Sequence, residues 1–439
     1  MRQHARAIWQ AAVEAARPAE LVRQALEDPA LPIREALARA PRIIVVGAGK
    51  AGAAMAAGVE AALASQLERV EGLVNVPDDP DRPALRKIIA HPARPAGTNS
   101  PTPEGEAGAR RMLALLAGAG PEDVALCLLS GGGSALLPAP APGLTLQAKQ
   151  QVTRLLHACG ATINEMNCVR KHLSAVKGGR LAQAFRGRVL FCPIISDVVG
   201  DPLDVIASGP TAGDPTTFAD ALAILERYGL TPQVPAEVLH HLRRGAAGEI
   251  EETPFQTPAR VHNLILGNNA RSLEASARLA ESLGYRVVNL GSCIEGETAP
   301  VAIALAGMLR SAVLQGRPAP PPLCLLSGGE TTVTLTPGHG KGGRNQELVL
   351  AAGFHLRQTL PDAKWVVLSG GTDGEDGPTD AAGAIADTET FARAESLKLS
   401  PRDFLVRHDS HAFFQATGDL LQTGLTGTNV MDVRVFLVR

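Results

Sequence analysis

The chain has 439 residues, 45% of them hydrophobic and 20% charged; this excludes disordered, collagen-like and fibrous proteins and allows two or three domains. With 42 basic and 44 acidic residues the net charge is −2, so no global field recruits nucleic acid or an anionic membrane. Aromatics make up only 3% and supply no platform for stacking bases. Six cysteines are scattered singly, without a C-x-x-C pair; most sit among apolar residues and read as buried thiols of a reducing compartment. Residues 1–16 are charged and amphipathic and lack the apolar core of a signal peptide. No uncharged apolar run reaches ~18 residues. The expectation is a cytoplasmic protein with no membrane and no nucleic acid polymer as partner.

Residues 1–40 carry helical spacing of Ala, Leu, Arg and Glu. Pro41 then opens the apolar run Ile43-Ile44-Val45-Val46, which ends in Gly47 and leads into an Ala-rich helix over 50–65. Further strands are predicted at 72–76, 86–90, 124–129, 188–195, 261–266, 286–290, 323–326, 365–368 and 433–438. Helices are predicted at 104–117, 146–159, 270–283, 298–314 and 345–356. This alternation predicts doubly wound α/β sheets. The Pro- and charge-rich stretch 229–258 is the best linker, and 77–103 reads as a surface segment.

Three apolar strands end in the same turn: Ser130-Gly131-Gly132, Ser327-Gly328-Gly329 and Ser369-Gly370-Gly371. Ligands of open α/β sheets gather beyond the carboxyl ends of strands, and consecutive glycines can turn their N–H groups toward an anion. The first turn continues through Gly133 and Ser134 into a wide nest. Upstream, Gly47-Ala48-Gly49-Lys50-Ala51-Gly52 matches G-x-G-x-x-G, which alone predicts a nicotinamide-dependent reductase. Against that, the next strand lacks a well-placed terminal acid, and Lys50 puts a cation beside the turn. The loop is no Walker A motif either, since no Ser or Thr follows Lys50.

The chain uses 8 Lys against 34 Arg, yet Lys50, Lys171, Lys177 and Lys341 stand in or next to glycine-rich or polar turns, where a compact point charge suits a phosphoryl group. The stretch 167–180 is the most cationic and reads as a lining for a polyanionic substrate. Asp197 and Asp201 follow one strand, and Asp373, Glu375, Asp376 and Asp380 crowd the third Ser-Gly-Gly turn. Acids there suit a magnesium ion or a base for a hydroxyl. Gly340-Lys341-Gly342-Gly343 places Arg344 and Asn345 at a helix start that attracts anions. His91, His262, His408 and His411 read as structural.

These motifs resemble the type-II glycerate kinase family (glycerate 2-kinases with a C-terminal MOFRL domain), some members of which are labelled hydroxypyruvate reductase. The matching stretches are VVGAGKAGAAMA (45–56), LLSGGGSALLPAP (128–140), VRKHLSAVKGGRLA (169–182), ISDVVGDPLDVIASGPT (195–211), GNNARSLEA (267–275), LLSGGETTVTL (325–335), GKGGRNQELVLA (340–351), LSGGTDGEDGPTDAAGAIAD (368–387) and TGTNVMD (426–432). The family's His-Pro-x-Pro-Asp segment is altered here, the nearest equivalents being His91-Pro92 and 100–104.

The resemblance implies two Rossmann-like α/β domains, 1–245 and 246–439, each with a mostly parallel sheet, meeting at an inter-domain cleft; the first helices are free to pack on the second domain. It implies phosphorylation of D-glycerate at its 2-hydroxyl with ATP and Mg²⁺, with NAD(P)H-dependent hydroxypyruvate reduction as the alternative; a homodimer is one candidate assembly, and the sequence leaves the oligomeric state open. Catalysis would fall to Lys50, Asp197, Arg344 and Asp373. Phosphate and substrate would contact Gly49, Ser130, Gly131, Gly132, Gly133, Ser134, Lys171, Lys177, Asn268, Ser327, Gly328, Gly329, Glu330 and Asn345. Asp197, Asp373 and Asp376 are the candidate magnesium ligands, and base and metal ligand are not told apart.

Overall fold

The computed structural model describes residues 1–95, 98 and 100–439; residues 96, 97 and 99 of the expected surface segment lie outside the described residues. The chain separates into an N-terminal unit, Pro18–Leu266, and a C-terminal unit of Met1–Arg17 with Gly267–Arg439. The division falls at Leu266/Gly267 and not at 245/246. The expected linker carries the helix Ala236–Ala246, whose Val238 and Leu242 share a core with Val169, Phe218 and Leu225. That apolar stripe outweighs the prolines around it and keeps the stretch with the N-terminal unit.

The N-terminal sheet holds β1 (Ile43–Ala48), β2 (Val70–Asp78), β3 (Ile88–Pro95), β4 (Val124–Leu129), β5 (Val189–Ile195) and β6 (Val261–Gly267). Their order is β3-β2-β1-β4-β5-β6, and every pair from β3 to β5 is parallel. β1 and β4 are buried at each residue, as strands covered on both faces must be, which explains their unbroken apolar runs. Strand order reverses between β1 and β4. That switch point is where an open α/β sheet accepts a ligand.

The C-terminal unit contains β7 (Arg286–Asn289), β9 (Leu323–Gly329), β11 (Trp365–Gly371), β12 (Gly383–Asp387), β13 (Leu420–Leu421) and β14 (Asp432–Val438), and a small parallel ribbon of β8 (Gly296–Glu297) with β10 (Thr331–Thr332). The large sheet runs β13-β12-β11-β14-β9-β7. Only β7–β9 is parallel; β9–β14, β14–β11, β11–β12 and β12–β13 are antiparallel. The expectation of a mostly parallel second sheet is therefore corrected to a mixed sheet. The terminal strand β14 runs back between the two strands that end in Ser-Gly-Gly.

Helix Arg2–Glu14 belongs to this second unit. Ser272 and Ser276 hydroxyls donate to its Ala12 and Ile8 carbonyls at 2.9 and 2.8 Å. Trp9 packs with Leu273, Val366, Leu368 and Val435, and its Nε1 donates to the Gly370 carbonyl at 3.0 Å. The next helix, Pro18–Glu27, instead lies against Gly52–Ala62, where a Cβ on Gly58 would stand 2.4 Å from the Ala19 carbonyl oxygen. Helix Thr298–Gln315 is long and apolar enough to cross a membrane, with mean hydropathy 1.3. Its Ala302, Leu305, Ala306, Leu309 and Ala312 nevertheless fill a protein core with Leu348 and Leu356.

Both tryptophans of the chain, Trp9 and Trp365, lie in the C-terminal unit, so indole fluorescence follows that unit alone. Trp9→Ala removes a fully packed ring and should destabilise the unit by about 3–5 kcal/mol. Urea unfolding followed by Trp365 emission measures this, and an unmoved midpoint would contradict the docking of the first helix.

Candidate active site

In the N-terminal unit the site grows from two turns at the β1/β4 switch point. Gly47 and Gly49 adopt φ of +152° and +154°, and Cβ atoms there would stand 2.1 Å from the Leu128 carbonyl oxygen and 2.0 Å from Ser130 Oγ. The glycines are required because the turn is pressed onto the end of β4. Its amides are consumed inside the protein. Gly49 donates to the Asn75 carbonyl at 3.2 Å, Lys50 to the Gly131 carbonyl at 2.8 Å, and Ala51 to Ser130 Oγ at 3.1 Å. This corrects the reading of Gly49 and Ser130 as phosphate ligands: both lock one turn to the other. The Lys50 side chain remains on the exposed side of the turn.

The second turn is different. Gly132 sits at φ +75°, and the amides of Gly131 and Gly132 make no hydrogen bond within the described residues. Gly133 donates to the Ser130 carbonyl at 3.2 Å and so only shapes the turn. Ser134 Oγ donates to Ser208 Oγ at 2.6 Å, and Ser208 Oγ donates to Asn167 Oδ1 at 3.1 Å. Ala207 and Ser208 hold φ of +51° and +62°, a left-handed pair that L-residues adopt only when their surroundings enforce it.

Lys177 helps to enforce it, alongside the Gly178 amide on the Ser208 carbonyl. Its buried Nζ donates to the Ser134 and Ala207 carbonyls at 3.0 and 3.2 Å, pinning the strained loop to the glycine turn. Burial, then the charges of Arg170 and Lys149, pull its pKa well down. Lys171 is also interior, paired with Asp204 at 3.2 Å and Asp214 at 3.3 Å. Neither lysine lines an open anion site, and that expectation is corrected. The sequence shows lysines beside glycines but not which way the amines face. Asp197, beyond β5, is half-buried.

In the C-terminal unit the central feature is Asp432 at the start of β14, fully buried. It accepts from Arg344 Nε and Nη2 at 2.7 and 3.0 Å and from Asn345 Nδ2 at 2.9 Å. Arg344 Nη1 also meets Glu330 at 2.8 Å. Burial opposes the Arg344 charge, but Asp432 and Glu330 outweigh it and push the pKa up. Two residues further along, Arg434 donates to the Gly328 and Gly329 carbonyls at 3.0 and 3.4 Å.

Asp376 corrects another expectation. Its carboxylate sits on the start of helix Arg344–Thr359, accepting from the Asn345 and Gln346 backbone amides at 2.9 Å each and from both side-chain amides. The anion attracted by that helix start is the protein's own, as the orphan amides and dipole require. Burial pushes its pKa up to about 6 against those hydrogen bonds. All its acceptor positions are used, so it is a cap and no magnesium ligand. Asn345 is spent likewise, accepting from Ser369 Oγ at 2.5 Å.

The glycines of the second and third Ser-Gly-Gly turns are explained by packing. A Cβ on Gly328 would stand 1.6 Å from Asn269 Oδ1, and one on Gly370 2.8 Å from the Trp9 indole nitrogen. Gly328 N donates to the Gly291 carbonyl at 2.9 Å. Ser327 is buried without a hydrogen-bond partner for its hydroxyl. Ser327, Gly328 and Gly329 thus form the bed of Arg434 and not an open nest. Asn268 caps helix Asn269–Ser282 by accepting from the Arg271 amide. Glu330 and the half-buried Asp373 keep partial exposure. Among the described residues no group of three or more metal-binding side chains is assembled. The histidines are structural: His408 meets Glu347 at 2.8 Å and His411 meets Asp380 at 2.9 Å.

Asp432 and Arg434 were carried in the sequence only as the end of TGTNVMD and one polar position in an apolar strand. Nothing in the spacing singled out Lys149, buried with no partner for Nζ, or Arg94.

An α/β scaffold with open glycine amides beside an exposed lysine defines a protein that handles small anionic molecules. A model described as "Domain of unknown function (DUF4147)" matches residues 4–243, and one described as "MOFRL family" matches 323–432. A glycerate 2-kinase of Pyrococcus horikoshii is 39% identical, covering 90% of this chain and 87% of that protein. A glycerate kinase of Homo sapiens is 39% identical over 100% of this chain and 93% of its own. A putative hydroxypyruvate reductase of Agrobacterium vitis is 40% identical over 100% and 94%. The solved glycerate kinase structure from Thermotoga maritima superposes with a TM-score of 0.88 at 33% identity, covering 100% and 99% of the two chains. The chain belongs to the type-II glycerate kinase family with a C-terminal MOFRL domain.

Burial, then the charge of Arg170, lowers the Lys149 pKa to about 7, against an opposing pull from Glu106. The folded state therefore binds fewer protons than the unfolded chain between about pH 7 and the ordinary lysine value near 10.4, and stability rises with pH across that window. Lys149→Met should raise stability at pH 6.5 by on the order of 2 kcal/mol, with the gain fading toward pH 10. Urea midpoints at both pH values test this; a pH-independent gain would assign it to packing alone.

Proposed function

We propose that the chain transfers the γ-phosphoryl group of ATP to the 2-hydroxyl of D-glycerate, yielding 2-phosphoglycerate and ADP. The observation that carries the reading is Lys50 beside the open amides of Gly131 and Gly132: its Cγ lies 3.5 Å from the point a Gly132 Cβ would occupy. Phosphoryl transfer demands positioning and neutralisation of charge on the moving group more than covalent chemistry. A lysine ammonium and two backbone N–H donors supply both.

In this reading Lys50 neutralises the transferred group, and Gly131 and Gly132 hold its oxygens. In the C-terminal unit Arg344 and Glu330 form a partly exposed, internally balanced edge. One of Asp197 and Asp373 accepts the hydroxyl proton. The other, as an oxygen ligand, suits Mg²⁺, which commonly takes one or two carboxylates plus substrate phosphates. Bound there, the ion would neutralise phosphate charge.

Hydride transfer fits poorly. The G-x-G-x-x-G amides are closed, so no pyrophosphate is cradled as a dinucleotide fold requires. On β2, Asn75 pairs with the end of β1; its amide nitrogen is committed to the Gly105 and Leu136 carbonyls at 2.9 and 2.6 Å.

A coupled assay with D-glycerate, ATP and Mg²⁺, the phosphoglycerate isomer being identified, should give 2-phosphoglycerate, while hydroxypyruvate with NADH stays inert. NADH loss without phosphoryl transfer would reverse the reading. Lys50→Ala should lower kcat by about 100-fold or more with a much smaller change in KM. An unchanged kcat would remove Lys50 from the transition state.

A further inference from the structure

Arg94 lies near the end of β3 and is 5% exposed. Its buried Nε has no hydrogen-bond partner, and the side chain makes no hydrogen bond or ion pair among the described residues. Other arginines removed from solvent are committed: fully buried Arg434 to the carbonyls of Gly328 and Gly329, partly buried Arg344 to Asp432 and Arg180 to the Glu251 carbonyl. A guanidinium cannot escape burial by losing its proton, so an interior arginine without a counter-charge is costly unless something else supplies one.

Its position indicates what does. Arg94 Nη2 stands 3.1 Å from the point where a Cβ on Gly132 would fall, and Lys50 Cγ lies 3.5 Å from the same point. Two kinds of donor therefore meet at one spot, the guanidinium fork and the Gly131 and Gly132 amides, with the lysine stem beside them. A Cβ at position 132 would crowd the Arg94 guanidinium and touch the Lys50 stem.

We propose that Arg94 is a direct ligand of the oxyanion held at the Gly131–Gly132 turn, its fork receiving two oxygens of a phosphoryl or carboxylate group. Which group it holds depends on the kinase reading; that it holds an oxyanion does not. Burial alone pulls the Arg94 pKa down, the mark of a cation awaiting compensation. A planar fork suits both anions, and a lysine there would bind as a point charge without the paired geometry.

The test uses full-length Arg94→Met and Arg94→Lys proteins, with calorimetric titration of D-glycerate, ADP and inorganic phosphate in separate arms, and thermal unfolding of the ligand-free proteins. Arg94→Met should weaken binding in at least one arm by about 10- to 100-fold, as for loss of hydrogen bonds to a charged group. Arg94→Lys should recover part of the loss. The ligand-free Tm of Arg94→Met should not fall, because no partner is orphaned. Loss confined to D-glycerate assigns the fork to the carboxylate; loss for ADP and phosphate assigns it to the phosphoryl group. Unchanged affinity in all arms overturns the proposal, as does a lowered Tm with affinities intact, or a wild-type protein that binds none of the three. A wild-type protein that binds phosphate through Arg94 yet phosphorylates no glycerate would overturn the kinase reading alone.

Discussion

A buried charge must find its opposite, and in the C-terminal unit that requirement organises everything around Asp432. The carboxylate is fully buried and takes the Nε–Nη2 edge of the Arg344 fork. Arg434, two residues on and equally buried, points along the same side of β14 and binds the carbonyls of β9. The register sets Arg434 opposite Ser327 on one side and Ser369 on the other. Reversing β14, or slipping it by one residue, would bury this pair against apolar core. One ionic network therefore fixes the antiparallel insertion of the last strand, the start of helix Arg344–Thr359 and the two turns beside it.

The N-terminal unit applies the same rule with the opposite outcome. Lys171 is balanced by Asp204 and Asp214, but among the described residues Arg94 Nε and the Lys149 ammonium have no hydrogen-bond partner. Among the described residues Lys177 is compensated by carbonyls alone, one belonging to a residue with left-handed backbone. Cations without counter-charges and strained dihedrals are destabilising on their own account. They persist where the surrounding sheet is strong enough to bear them, which is the usual signature of a site arranged for its ligand. The β1–β4 pair, buried on both faces along its length, is that support.

Much of this was legible in the sequence. The apolar runs of β1 and β4, the glycine turns after them and helix 345–356 each had a local signal strong enough to survive folding. Sheet polarity had none, because the run 433–438 reads the same whether it pairs parallel or antiparallel. β12, Gly-Ala-Ile-Ala-Asp, has a single branched residue, Ile385, too little to mark a strand, and is held by its neighbours. Asp376 looked like a metal ligand because four acids crowd the loop; only the fold brings a helix start beneath it. Lys177 looked like an anion ligand because it precedes Gly178 and Gly179, but its amine turns inward to two carbonyls. Arg94 could not be found from motifs, since it lies in the segment where this chain departs from its family.

The three Ser-Gly-Gly turns show why a repeated motif is not a repeated function. In the second and third, glycine is present because Asn269 and Trp9 occupy the space a Cβ would need, and the neighbouring groups are closed by sheet pairing and by Arg434. In the first, the serine is equally closed, accepting from Ala51, but the two glycine amides are not. A strand that must end abruptly against another element selects the same residues as a strand that must end against an anion. What separates the cases is the charge around them: acids and arginines in balance at the closed turns, and at the open one a buried arginine, Arg94, whose Nε has no hydrogen-bond partner among the described residues. Function follows that imbalance and not the repeated letters.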